Sequence, residues 1–274
     1  MEVFITILIC ACGGMLAGLS TGFAGLSAAV FITPFLVSFL NVNFFQATAI
    51  ALTSDVLGSL ISTIIFKKNK HVQFRKSLSL FIPVVIGCVG GSIASYYITK
   101  RPVGDDVMAY VTIAGSFLLG LKFIIRPMRE KYNSHLNPKW ELIFAILMGL
   151  AIGFVCGFQG AGGGVMILFA LTIVLRYEFK NAIGTSVLIM TFTALIGAIS
   201  HYAIDFVDSR DLVSWYIVVS CVVSTTVFAA LAAKIANKVS PKTLNRIVGI
   251  MLTISCVITL LAKLGVFDIL GKGM

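Results

Sequence analysis

The second half of this chain repeats the first at a fixed offset of 135 residues. At that offset, with no gap, identical residues coincide at positions between Gly14 and Arg75 of the first half. The matched pairs include Gly149 on Gly14, Gly153 on Gly18, Gly157 on Gly22, Phe158 on Phe23, Gly160 on Gly25, Val165 on Val30, Leu171 on Leu36, Phe179 on Phe44, Ala182 on Ala47 and Arg210 on Arg75. Such self-similarity limits the chain to folds built from two related units.

The composition places both units in a membrane. Of the 274 residues 58% are hydrophobic and 12% are charged, and the mean hydropathy is +1.02. A soluble domain has about 25% charged residues, and a helix needs roughly 20 apolar residues to cross the bilayer core. Spans are predicted near residues 3–23, 47–66, 77–98, 107–125, 142–156, 182–201, 212–233 and 247–261. Two shorter runs, 28–40 and 165–175, each follow a glycine cluster and are predicted to be half-helices or re-entrant segments.

The loop charges predict the orientation, because Lys and Arg accumulate on the cytoplasmic side of membrane proteins. Three basic loops, at 67–76, 126–139 and 234–246, are therefore predicted to be cytoplasmic. The loop at 203–211 carries Asp205, Asp208 and Asp211 against Arg210, so it is predicted to be external. The net charge of +10 is thus a topology signal, and nucleic acid is excluded as a partner because the apolar spans leave no soluble face for it.

Equivalent loops of the two repeats, 67–76 and 203–211, are predicted to lie on opposite faces, which requires an inverted pseudo-twofold fold. The predicted fold class is an all-α polytopic membrane protein with two inverted-topology repeats. Each repeat has a glycine-broken helix and half-helix pair plus three spanning helices. The first repeat covers 1–126, a cytoplasmic linker 127–141 and the second repeat 142–274. Inverted repeats around a central site are typical of secondary transporters.

The glycine clusters predict where a ligand binds. Irregular backbone at membrane depth is tolerated where it lines a cavity or is buried in protein, and the half-helix after each break begins with unpaired amides that favour an anion. The candidate anion-binding residues of the breaks are Gly22, Gly25, Ser27, Gln159, Gly160, Gly162, Gly163 and Gly164. The alternative is that glycines four residues apart, at 14, 18 and 22 and at 149, 153 and 157, only let helices pack closely.

Polar residues inside the spans extend this candidate site. Thr53, Ser54, Thr185 and Ser186 supply hydroxyl donors that can replace water around an anion, or can bond carbonyls of their own helix. Asp55 lies within a predicted span, where a carboxylate is costly unless it is paired, hydrated or protonated. It is a candidate for binding a coupling proton, and the alternative is that it caps a neighbouring break.

The pattern Gly157-Phe158-Gln159-Gly160-Ala161-Gly162-Gly163-Gly164, followed by a half-helix and by Ala182-Ile183-Gly184-Thr185-Ser186, resembles the TauE/SafE (TSUP) family of sulfite and organosulfonate transporters. The first repeat departs from the pattern with Ser27, Ala28 and Ala29 in place of the glycine run, and with Ala49-Ile50-Ala51 in place of Gly-Thr-Ser. The resemblance implies a carrier of small sulfur-containing anions such as sulfite, thiosulfate, sulfoacetate or other sulfonates.

The predicted function is therefore secondary transport of such anions by alternating access, with protons as a candidate coupling ion, in the cytoplasmic membrane of a prokaryote. The alternatives are an anion channel and a carrier of non-sulfur organic anions. An enzyme is not predicted, because His71, His135 and His201 are scattered and form no catalytic set with an acid. Neither a metal nor a cofactor is predicted, and the expected partners are the anion and the lipid bilayer.

Overall fold

A computed structural model describes residues 2–73, 78–99, 138–159, 163–173, 175, 177–207 and 213–264, with isolated residues between 110 and 125. The described parts of the chain contain helices and short connections, and no strand. The helices are α1 (Glu2–Ala24), α2 (Ala29–Leu40), α3 (Phe44–Lys68), α4 (Leu78–Thr99), α5 (Pro138–Gln159), α6 (Gly164–Ile173), α7 (Phe179–Val207), α8 (Trp215–Ala236) and α9 (Pro241–Lys263). The all-α prediction is confirmed.

Five of these helices are long and apolar enough to cross a membrane. They contain the spans Val3–Ala24, Phe44–Lys68, Leu78–Ile98, Lys180–Val207 and Trp215–Ala236. The predicted span at 107–125 falls mostly outside the described residues. The outer surface is also apolar, as expected for contact with lipid: on α8 the exposed residues recur every fourth position, at Val219, Val223, Val227 and Leu231.

The short helix α2 has local signals for its two ends. It starts after the break at Gly25 and ends at Asn41, which adopts the left-handed conformation with φ of 50°. Asn43 then caps α3, because its side-chain oxygen accepts a hydrogen bond of 2.9 Å from the amide of Phe45. The chain therefore turns back after only 12 helical residues, as the prediction of a half-helix requires.

Glycines four residues apart pack the long helices in pairs. Carbon atoms built at Gly14, Gly18 and Gly22 of α1 would strike the carbonyl oxygens of Cys221, Thr225 and Ala229 on α8, in that order. Those at Gly149, Gly153 and Gly157 of α5 would strike the carbonyl oxygens of Leu80, Val84 and Cys88 on α4. Each pair thus runs parallel with its backbones in close contact. The first helix of each repeat packs against the fourth helix of the other.

The central pair, α3 and α7, occupies equivalent positions in the two repeats. Three contacts mark its register: Phe66 with Gly184, Ser59 with Thr191, and Leu52 with Gly197. Residue numbers rise along α3 as they fall along α7, so the two helices are antiparallel. An inverted-topology repeat requires this relation between equivalent helices, and the orientation of the repeats in a membrane stays a prediction.

The ends of these helices carry charges of different sign. At the start of α7, the ring of His71 lies 3.1 Å from the side-chain oxygen of Asn181, and the ammonium group of Lys180 donates to the carbonyl of Asn237 at 2.9 Å. The carboxyl ends of α3 and α8 therefore meet the start of α7. Their last turns contain Lys67, Lys68 and Lys234, and we call this end of the helices the basic end. Asp205 lies near the opposite, acidic end of α7.

Candidate functional site

The two glycine breaks meet inside the molecule. A Cβ atom built at Gly164, the first residue of α6, would overlap the carbonyl oxygen of Gly25 in the first break. A Cβ built at Gly25 would lie 3.0 Å from the hydroxyl of Ser186 and 3.1 Å from Val187. The break before α2, the break before α6 and the first turns of α7 therefore form one contact, which we call the break junction.

Glycine is required at two points of this junction for conformational reasons. Gly25 has φ of 66° and Gly163 has φ of 67°, a left-handed backbone that side chains with a Cβ rarely adopt. At Gly163 a Cβ would also overlap the sulfur of Cys156, so two independent constraints fix glycine there. The predicted departures from helical geometry are thus present in both repeats.

Asp55 lies at the amino end of α2 and is fully buried. One carboxylate oxygen accepts a hydrogen bond from the hydroxyl of Ser27, and the other accepts one of 2.6 Å from the backbone amide of Ala28. The hydroxyl oxygen of Ser27 in turn accepts from the amide of Ala29 at 3.2 Å. A carboxylate of the protein therefore occupies the position where an anion would stabilise this half-helix. This geometry matches the capping alternative, and binding of a coupling proton stays a prediction.

The second repeat has no acid at the equivalent place. Met190 stands at the position of Asp55, is fully buried and lies 2.8 Å from a Cβ built at Gly164. A thioether is a weak hydrogen-bond acceptor without charge. The two half-helices thus begin in different surroundings: a resident carboxylate at α2 and an apolar sulfur at α6.

The predicted hydroxyl ligands bond mostly to their own helices. Thr53 donates to the carbonyl of Ala49 at 2.8 Å, and its oxygen lies 3.4 Å from the hydroxyl of Tyr202. Ser54 donates to the carbonyl of Ile50 at 3.0 Å. Ser and Thr in apolar helices commonly form such bonds within their own helix. Neither the Thr53 nor the Ser54 hydroxyl therefore donates to the break junction.

Ser186 and Thr185 lie on the first turns of α7. Ser186 donates to the carbonyl of Ile183 at 2.9 Å while its oxygen faces Gly25. The hydroxyl oxygen of Thr185 accepts a hydrogen bond of 3.0 Å from the amide of Gln73. Of the predicted hydroxyls outside the breaks, Ser186 is therefore the one at the junction.

The remaining predicted residues fall into two groups. Gly22 faces α8, where a Cβ would lie 2.5 Å from the carbonyl oxygen of Ala229, so it serves helix packing. Gly160, Gly162 and the side chain of Gln159 lie outside the described residues. Within the described parts of the chain no group of three or more His, Cys, Asp or Glu residues could hold a metal ion.

Sequence reasoning missed the contacts that residues 71–73, after α3, make with α7 and with Tyr177 just before it. His71, Gln73 and Tyr177 belong to these contacts. The available signal was the pair Asn181 and Thr185, polar residues four apart that share one face of α7. Also missed was a small cavity of about 40 Å³ near the acidic end, lined by Gln46, Ile50, Tyr202, Asp205, Val213 and Val218.

Comparison with known proteins agrees with this architecture. The family model described as sulfite exporter TauE/SafE matches residues 10–259. The probable membrane transporter protein YunE of Bacillus subtilis (strain 168) is 24% identical over 260 residues, covering 87% of this chain and 92% of its own length. The probable membrane transporter protein YdhB of the same organism is 24% identical over 224 residues, covering 81% and 87%. The probable membrane transporter protein MJ0441 of Methanocaldococcus jannaschii is 24% identical over 246 residues, covering 87% and 88%.

A match over nearly the whole chain, together with apolar helices of membrane-spanning length, identifies a multi-pass membrane transporter and not an enzyme. The chain belongs to the TauE/SafE sulfite exporter family.

Proposed function

We propose that this protein is a secondary carrier of small sulfur-containing anions, such as sulfite, thiosulfate, sulfoacetate or other sulfonates, in the cytoplasmic membrane of a prokaryote. The observation that carries the proposal is the break junction, where Gly25 contacts Gly164 and Ser186 lies beside them. Backbone amides and hydroxyl groups bind oxyanions without a fixed positive charge. The name of the matching family supplies the sulfur chemistry.

The start of α6 is the end that we assign to the substrate anion. At the start of α2 the place of an anion is taken by Asp55, whose carboxylate accepts from Ser27 and Ala28. A second anion beside that carboxylate would be repelled, at a cost that grows as the local dielectric falls. At α6 the equivalent residue is Met190, which is uncharged. One substrate anion per protein is therefore expected.

Alternating access fits the pairing of the helices. α1 packs against α8 and α5 against α4, so the first helix of each repeat packs against a helix of the other repeat. α3 and α7 lie between them as an antiparallel pair. Rocking of one packed group of helices against the other would open the junction alternately toward the two ends of α7. With the basic end cytoplasmic, as the loop charges predict, the acidic end faces the outside.

Proton coupling through Asp55 belongs to the same proposal. Asp55 is the acidic residue found at the break junction among the described residues, and it holds the first half-helix through Ser27 and Ala28. Protonation would replace a charged acceptor by a carboxyl group that needs an acceptor of its own. Binding of a proton would therefore loosen the first break and change its position relative to the second.

Counterflow of labelled sulfoacetate in proteoliposomes tests the proposed function. Purified protein is reconstituted with unlabelled sulfoacetate inside, and uptake is competed with sulfite, thiosulfate, sulfate, taurine and acetate. Saturable exchange that sulfite or sulfonates inhibit and acetate does not is the expected result. Flux that fails to saturate would identify a channel, inhibition by acetate a carrier of general organic anions, and no exchange by folded protein would remove the substrate class.

A further inference from the structure

The described residues that follow the turn after α3, 71–73, lie across the start of α7. His71, Val72 and Gln73 continue from the basic end of α3, and we call these three residues the latch. The carbonyl of His71 contacts Gly184, where a Cβ atom would overlap its oxygen. The side chain of His71 lies 3.1 Å from the oxygen of Asn181.

Gln73 fixes the other end of the latch through its backbone. Its amide donates to the hydroxyl oxygen of Thr185 at 3.0 Å, and its carbonyl accepts from the hydroxyl of Tyr177 at 2.9 Å. Both partners are buried side chains of the second repeat. The backbone of Gln73 therefore makes two hydrogen bonds to the second repeat, and the side chains of Thr185 and Tyr177 are its partners.

Lys70, the residue before the latch, has a backbone conformation that is unusual for a residue with a Cβ. The amide of His71 bonds the carbonyl of Phe66, and the amide of Lys70 bonds that of Lys67, each at 3.0 Å. This is the Schellman pattern, which normally places glycine where Lys70 stands. Lys70 has φ of 62°, a left-handed conformation that costs a residue with a Cβ about 1–2 kcal/mol. Strained positions of this kind persist where surrounding contacts hold them.

Within its described residues, the second repeat has no such turn. Its helix α7 continues to Val207, which is equivalent to Val72 of the latch. At the acidic end, Ile50 is the equivalent of Thr185. Its apolar side chain accepts no hydrogen bond and lines the cavity of about 40 Å³. Among the described residues the two pseudo-symmetric positions therefore differ: Thr185 accepts a hydrogen bond from the latch, and Ile50 lines a cavity.

The latch is also next to the break junction. Thr185 bonds the latch, and the following residue, Ser186, faces Gly25. Gly184 on the preceding position contacts His71. Successive residues of one helical turn thus contact the latch and the first break, so a displacement of the latch would free the Thr185 hydroxyl and uncover this turn.

From these contacts we infer that the latch is a gate of the basic face, closed in this structure by Tyr177 and Thr185 and hinged at Lys70. Its opening exposes the start of α7 and, behind it, the break junction to the basic side. The gating of an anion rests on the function proposed above, whereas the opening of the latch does not.

Thiol accessibility measures the gate without any substrate. Ser186→Cys is introduced into a background in which the six native cysteines are replaced, and a membrane-impermeant thiol reagent is applied to the basic face. Tyr177→Phe removes one latch bond, so the labelling rate should rise about fivefold, the equivalent of ~1 kcal/mol. Thr185→Val, which removes the other bond, should give a similar rise. Tyr97→Phe, which alters an exposed ring on α4, should leave the rate unchanged.

Unchanged labelling in both latch variants, with elution as folded protein, would overturn the gate. A rise with Tyr97→Phe as well would also overturn it, since the effect would then not come from the latch. If one variant fails to fold, the other measures the same gate through a different residue.

Cross-linking links the gate to transport. A His71→Cys, Asn181→Cys pair joined by a short reducible cross-linker should stop counterflow, and reduction should restore it. The matched control is a Ser240→Cys, Thr243→Cys pair, whose exposed hydroxyl groups lie 2.9 Å apart outside the latch. Undiminished counterflow with the latch cross-linked refutes gating, while absent counterflow in the unaltered protein refutes the carrier and leaves the labelling result standing.

Discussion

Replacing Asp55 by alanine should destabilise the protein through one local loss, the cap of α2. The carboxylate accepts hydrogen bonds from Ser27 and from the amide of Ala28, and all three groups are buried. Asp55→Ala therefore leaves two donors without an acceptor in the protein interior. Asp55→Asn retains one side-chain oxygen as an acceptor, so the two variants lose different parts of the same interaction.

The structure sets the expected size of the effect. A buried donor left unsatisfied costs about 1–3 kcal/mol, and removal of the buried charge returns part of its desolvation cost. We therefore expect Asp55→Ala to lower the free energy of unfolding by about 3 kcal/mol and Asp55→Asn by about 1 kcal/mol. Ser54→Ala, which removes a hydroxyl bonded to its own helix at Ile50, should change it by less than about 0.5 kcal/mol.

Unfolding in detergent micelles, titrated with denaturant and followed by circular dichroism, measures these differences. Added formate provides a second measurement, because a small anion can fill the end of α2 that Asp55→Ala vacates. At ten times its Kd, formate should restore about 1.4 kcal/mol to Asp55→Ala and nothing to the unaltered protein. If Asp55→Ala is as stable as Ser54→Ala, the carboxylate does not hold the break and the reasoning is refuted.

Three further predictions concern coupling, the latch and the central helix pair. Asp55→Asn should make the rate of counterflow independent of pH if Asp55 binds the coupling proton, and a pH profile like that of the unaltered protein would return Asp55 to capping alone. Lys70→Gly removes the cost of the left-handed turn and so stabilises the closed latch. Labelling of Ser186→Cys from the basic face should slow about fivefold. Faster labelling would contradict the assignment of Lys70 as the hinge. Ser59→Ala and Thr191→Val should show a coupling energy of about 1 kcal/mol in a double-mutant cycle of unfolding, because their oxygens lie 2.8 Å apart; additive effects would mean that this α3–α7 bond is not formed.

Much of the fold follows from the sequence because its signals are local and repeated. The apolar lengths and the glycine clusters predicted the long helices and the two short ones, and α2 (Ala29–Leu40) begins one residue from the predicted start. The offset of 135 residues predicted that helices would match in pairs. The predicted inversion requires α3 and α7 to be antiparallel, but their direct contact joins residues distant in sequence, such as Ser59 and Thr191, which the pattern alone does not specify.

The candidate site was predictable only in part. Positive φ at Gly25 and Gly163 agrees with the predicted breaks, since glycine is the residue that such a backbone favours. The partner of Asp55 was not predictable, because a carboxylate can cap any nearby amide and the sequence does not fix which helix end approaches it. The latch left only half a signal: the polar side chains Asn181 and Thr185 mark where it binds, whereas its bonds from Gln73 use backbone atoms, which leave no side-chain pattern.

The central claim is that an anion is carried at the break junction, and counterflow in a matched pair of glycine variants tests it most directly. A methyl group added by Gly164→Ala would overlap the carbonyl of Gly25 and force the breaks apart, whereas Gly90→Ala adds a methyl group with no atom within 4 Å. Labelled sulfoacetate should exchange normally in Gly90→Ala and at background rate in folded Gly164→Ala. Equal exchange in both variants would contradict the claim and move the transported anion away from the junction.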